Sequence, residues 1–173
     1  MWKKLLQTSI LLLGWLSSYS THIVGGELIY DCLGGNNYHI TLKVYRDGCS
    51  TCYHFDYPTS FYIYDQNGIL FKELTFDITD SIQIPPVINN PCLLVPPDII
   101  VWGIELDTVV YLPSGSDYYV VYQRCCRNNT IVNLLDPGGT GSTYVERIPD
   151  PGTLCNSSPY FNNFPPVALC VGD

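Results

Sequence analysis

The residues best equipped for chemistry are 8 Cys, 3 His and 14 Tyr. The cysteines are Cys32, Cys49, Cys52, Cys92, Cys125, Cys126, Cys155 and Cys170. They could serve a redox dithiol, a metal site or structural bridges. Cys49-Ser50-Thr51-Cys52, with His54 close behind, has the spacing of a redox pair or of half a zinc site. A redox pair should open a helix, and no helical pattern follows. A zinc site needs a second ligand pair, and none stands at matching spacing. The even count therefore reads as disulfides, with the connectivity open. Cys125 and Cys126 fall on an expected strand, where consecutive side chains point to opposite faces, so they should reach different partners.

Other catalytic patterns are incomplete. His22, His39 and His54 have no serine in a matching context. Ile23-Val24-Gly25-Gly26 resembles the activated N-terminus of trypsin-like serine proteases, but no Gly-Asp-Ser-Gly-Gly surrounds a nucleophile anywhere in the chain. Gly25-Gly26 then reads as a strand irregularity. No carboxylate pair stands out for glycoside hydrolysis. Gly138-Gly139-Thr140-Gly141 lacks the lysine and following helix of a phosphate cradle. No catalytic, cofactor or metal residue is assigned, although Asp-rich loops allow weak calcium binding. A secreted hydrolase remains the outlying alternative. Tyr62, Tyr64, Trp102, Tyr111, Tyr118, Tyr119 and Tyr122 would offer a sugar-binding surface if they faced outward; the alternative is that tyrosine is a good strand residue with a wet end. Arg124 and Arg127 flank the double cysteine and should pair with nearby carboxylates.

The elements that must position these residues are strands. The 173-residue chain has one Ala, one Met and four Glu, so the best helix formers are nearly absent. Val, Ile, Tyr, Phe, Trp and Thr exceed a third of it, and 14 Gly and 13 Pro supply turns. Residues 1–20 read as a signal peptide: Lys3 and Lys4, an apolar run from Leu5 to Leu16, then small residues with cleavage after Ser20. The run is short for a bilayer span, so no transmembrane span is expected after cleavage. Sixteen acids then face six bases with no basic stripe, which argues against nucleic acid.

Along the remainder, Tyr38, Ile40, Leu42 and Val44 alternate with His39, Thr41, Lys43 and Tyr45, the mark of a strand with one face on the core. Leu33 to Asn37 is turn chemistry. Asn67-Gly68, between Phe61–Tyr64 and Ile69–Phe76, predicts a hairpin with a type I′ turn. Ile84 to Pro97 is a proline-rich extended connection anchored by Cys92. Ile99 to Leu112 is one long strand or two short ones, Tyr118 to Cys126 a central strand, and Thr143 to Ile148 another. Residues 149–173 form a loop-rich tail closed by a short apolar run from Val167 to Val171. Short strands at this spacing predict an all-β fold over residues 21–173, a disulfide-linked antiparallel β-sandwich of immunoglobulin- or cadherin-like architecture, with a β-barrel as the alternative.

Several stretches resemble a known family. Thr21-His22-Ile23-Val24-Gly25-Gly26-Glu27, Val44-Tyr45-Arg46-Asp47, Ile88-Asn89-Asn90-Pro91-Cys92 and, most specifically, Tyr122-Gln123-Arg124-Cys125-Cys126-Arg127-Asn128 carry the likeness. Cys155-Asn156-Ser157-Ser158-Pro159 and Pro165-Pro166 to Cys170 complete it. The chain resembles the N-terminal module of large exported surface proteins of Bacteroidota, the PKD-domain and gliding-motility-associated C-terminal domain proteins. The resemblance implies a secreted, cell-surface, non-enzymatic structural or adhesion module, with surface glycans or other surface proteins as partners. Relatives often carry a further Cys just after Pro-Pro-Asp, where this chain has Ile99 and Ile100, so the bridge pattern is expected to differ.

Overall fold

The computed structural model describes residues 23–48, 55–85, 100–128 and 131–163. Eight strands form two four-stranded antiparallel sheets. In chain order they are β1 (Ile23–Gly34), β2 (Asn37–Asp47), β3 (Thr59–Asp65), β4 (Leu70–Phe76), β5 (Ile82–Ile84), β6 (Val101–Tyr111), β7 (Tyr118–Arg124) and β8 (Ser142–Ile148). One sheet runs β1-β2-β6-β5 and the other β4-β3-β7-β8. The chain therefore alternates between sheets two strands at a time. The result is an open sandwich, not a closed barrel.

The core follows from the period-two pattern. Tyr38, Ile40, Leu42 and Val44 on β2 are wholly inaccessible and pack with Leu28, Tyr30, Ile104, Leu106 and Val110 from the flanking strands. Phe61, Ile63, Tyr118, Val120, Tyr122 and Ile148 answer from the other sheet. Burying such side chains contributes roughly 1.5–3 kcal/mol each. Three of the buried phenols have carbonyl partners for their hydroxyls, as burial favours. Tyr38 donates to the Leu154 carbonyl at 3.3 Å, Tyr30 to that of Arg147 at 3.1 Å, and Tyr118 to that of Pro113 at 3.0 Å. The last, reaching five residues back at the start of a strand, is the tyrosine corner seen in immunoglobulin-type sandwiches. Past Val44 the core face of β2 ends in charge. Arg46 is buried, lies over the Phe55 ring at 5.2 Å and donates to the Asp47 carbonyl; burial holds its guanidinium below its ordinary pKa.

Both hairpins turn where the sequence places them, but the type I′ geometry expected at Asn67-Gly68 is found at the other hairpin. The β1–β2 loop is Gly35-Asn36, with φ of 58° and 62°, the two positive values of a type I′ turn. At β3–β4 only Gly68 is left-handed, at φ 75°. Gly68 N–H donates to the Asp65 carbonyl at 3.0 Å, and Asp65 N–H to the Ile69 carbonyl at 2.9 Å. That is a type I turn closed by a glycine bulge, so the hairpin forms as expected with a different turn. The Asp65 carboxylate decides it by accepting the Asn67 and Ile69 amides, both at 2.8 Å.

Other expectations meet the structure strand by strand. Ile99–Leu112 contains one long strand, β6, and the Gly25-Gly26 irregularity is a register shift between Ile23 and Gly25. The leader, the Pro-rich stretch beyond Pro85 and the Val167–Val171 run lie outside the described residues.

Candidate functional site

Four of the eight cysteines lie within the described residues, and all four are bridged. Cys49, Cys52, Cys92 and Cys170, with His54, lie outside them. Cys32, near the end of β1, bonds Cys155 in the tail across 123 residues. Cys125 bonds Cys126. This corrects the expectation that the neighbours reach different partners. Both lie past the end of β7, so strand alternation does not apply to them. One expected feature holds: Cys126 is buried and Cys125 exposed.

The Cys32–Cys155 bridge anchors a strap along the free edge of β1. Tyr30 N–H donates to Ser158 Oγ and Ser158 N–H to the Tyr30 carbonyl, both at 2.9 Å. Cys32 N–H donates to Ser157 Oγ at 3.1 Å, and Asn156 Nδ2 to Tyr30 Oη at 3.1 Å. Further on, Phe161 N–H donates to Glu27 Oε1 at 2.9 Å. As the tail advances its partners on β1 step backward, so the strap runs antiparallel to the strand. A bare edge is a template for unwanted pairing, and this one is covered. The tail's Ser, Asn and Pro content gives no hydrophobic period to reveal it, and the pairing is therefore invisible to local pattern.

The two arginines beside the double cysteine separate. Arg124 pairs with Asp56 as expected, while Arg127 Nε donates to the Gly141 carbonyl rather than to a carboxylate. Burial outweighs Arg124 and raises the Asp56 carboxyl above its ordinary pKa. The glycine run begins inside a short 3-10 turn, Pro137–Gly139, capped by Asp136, whose carboxylate accepts the Gly139 amide at 3.2 Å. His39 lies 2.9 Å from Asp107 across the outer face of β2 and β6. Among the described residues no group of three His, Cys, Asp or Glu could hold a metal ion.

The tyrosines divide between core and surface. Tyr118 and Tyr122 are interior, and burial pushes the Tyr122 phenol far above its ordinary pKa. Tyr62, Tyr64 and Tyr119 share the outer face of the β4-β3-β7-β8 sheet. Tyr62 lies opposite Val121 and Tyr64 opposite Tyr119, and the Tyr62 and Tyr64 rings are 6.4 Å apart. Val145, half exposed, extends the row beside Val121. Tyr111 is exposed on the opposite sheet, and Trp102 lies opposite Arg46 on the core-facing register. Three of the seven candidate aromatics are thus gathered on one face.

Comparison with known proteins adds no identity: no family model, curated protein or solved structure matches the chain significantly.

Proposed function

We propose that the chain is an exported, cell-surface structural or adhesion module with no chemistry of its own, the N-terminal part of a larger surface protein. The observation that carries this reading is the Cys32–Cys155 bridge, which ties the tail to β1 across 123 residues. Such bridges persist in oxidising compartments and are rare where thiols are kept reduced. The leader-like residues 1–20 and the likeness to exported Bacteroidota surface proteins support it independently. The test is surface labelling of intact source cells with an antibody to the folded domain, together with N-terminal sequencing. Labelling of intact cells and a mature start at Thr21 is the expected result. Label that appears only after lysis would overturn the reading.

A second reading, a carbohydrate-binding module, is favoured by Tyr62, Tyr64 and Tyr119 sharing one outer face. Flat aromatic rows stack on sugar faces while the hydroxyls stay wet. Pull-down on insoluble polysaccharides, compared with a Tyr62→Ala/Tyr119→Ala variant, separates it from a purely structural module.

A further inference from the structure

A second site lies on the opposite sheet, where the strap crosses Tyr45. Tyr45 faces outward on β2, with Gly25 opposite it on β1 and Gly103 opposite it on β6. A methyl group at Gly103 would come 3.3 Å from one edge of the ring, and one at Gly25 would come 3.8 Å from the other. Two glycines in register therefore give the ring a bare bed, and Tyr45 is buried although it points away from the core. One step along the strands, Glu27 Oε2 pairs with Lys43 Nζ at 3.3 Å. Above them the strap places Phe161, Asn162 and Asn163, held by the Phe161 amide on Glu27 Oε1. These six residues enclose a cleft of about 220 Å³.

We propose that this cleft binds a single pyranose ring of a glycan. Its volume falls below the roughly 300–1,000 Å³ of drug-sized pockets, which suits one ring and not a folded chain. The donors and acceptors match a ring of hydroxyls. A carboxylate has roughly four acceptor sites, of which Glu27 spends two here, and an ammonium has three donors, of which Lys43 spends one on Glu27. Asn162 and Asn163 add two carboxamides, each both donor and acceptor. Glu27 and Lys43 cancel in charge, so the cleft suits a neutral ligand. Phe161 is 79% exposed at the mouth, although its own amide is fixed. An aromatic ring so placed has a free face for the C–H side of a sugar. The Cys32–Cys155 bridge contributes by holding the wall in place, so the staple is also part of the site.

This assignment gives the adhesive form of the proposed function its ligand class and rests on that reading. The test is an NMR titration of the oxidised protein with methyl β-glucopyranoside, methyl β-galactopyranoside, methyl α-mannopyranoside and N-acetylglucosamine. One ring should bind with Kd on the order of 1 mM. Shifts should centre on the amides of Glu27, Lys43, Tyr45 and Phe161 to Asn163. Phe161→Ala should weaken binding about tenfold or more, Phe161→Trp should retain it, and Tyr62→Ala should leave it unchanged. The substitutions at Phe161 act on an exposed ring and leave the core intact. No shift at these amides with any of the four sugars, or shifts undiminished in Phe161→Ala, would overturn the proposal. That failure would leave an exported spacer standing. Failure of surface labelling would instead remove the export reading while leaving the titration valid.

Discussion

Replacing both Cys32 and Cys155 by alanine removes the staple without touching the Cys125–Cys126 bridge. The closed segment spans 123 residues. In the chain-entropy treatment, a loop of that length restricts the unfolded chain by about 5 kcal/mol. Domains of this size are stable by only about 5–15 kcal/mol, so the loss takes a large share. At about 2–4 °C per kcal/mol, the melting temperature should fall by about 10–20 °C. The native state should also change locally. The amides of Tyr30 and Cys32 donate to Ser158 Oγ and Ser157 Oγ, and both hydroxyls belong to the strap. With the anchor gone, their hydrogen exchange should accelerate well before that of Leu42 or Val120 in the core. Thermal melts by circular dichroism and amide exchange, both without reductant, read the two effects. A melting temperature within about 2 °C of the parent, with Tyr30 protection unchanged, would refute the reasoning.

Three further outcomes are expected. Gly26→Ala would set its Cβ 2.8 Å from the Lys43 carbonyl oxygen and 3.0 Å from the Tyr144 ring, so β1 must shift and stability should drop by about 1–3 kcal/mol in a urea melt. Gly25→Ala meets only the Tyr45 ring, at 3.8 Å, and should cost less; equal losses would contradict the packing at Gly26. Tyr118→Phe deletes the hydroxyl bonded to the Pro113 carbonyl and should cost about 1 kcal/mol with the fold unchanged, whereas no change in the urea midpoint would remove the tyrosine corner from the account. Hydrogen bonds from Ile69 and Asn67 hold the Asp65 carboxyl below its ordinary range, and Arg147 and the Asp150 amide do the same for Asp117. Because their folded values are depressed, their stabilisation is complete above the unfolded value of about 3.9 and is lost as pH falls through the folded values. Asp65→Asn should therefore lie below the parent in stability at pH 6 and converge on it toward pH 2; a constant gap would contradict this.

Much of the sandwich was legible because strand period is a local signal. Tyr38, Ile40, Leu42 and Val44 declared the core face of β2, and all four are inaccessible. Turn position was legible at both hairpins while turn type was not. Asn67-Gly68 carries the type I′ signature, but the carboxylate of Asp65 captures the Asn67 and Ile69 amides and imposes a type I turn with a bulge instead. Gly35-Asn36 takes the type I′ geometry. Cys125 and Cys126 defeated the alternation rule because β7 ends at Arg124, two residues short of Cys126. The aromatic set was read as one group of seven, and the sheet register divides it, since Tyr118 and Tyr122 share parity with core residues while Tyr119 does not. The strap and the Tyr45 cleft were hidden for a different reason. They join residues more than a hundred positions apart through serine hydroxyls, a backbone amide and a disulfide, none of which leaves a periodic trace. The two glycines flanking Tyr45 were visible, but their meaning depends on register, which only the paired strands reveal.

The account rests most directly on the sulfur chemistry of Cys32 and Cys155. Protein purified from its native source, alkylated under denaturing conditions without reductant and digested, should give one linked species carrying both residues, separable only after reduction. Recovery of both as separately alkylated free thiols would contradict it.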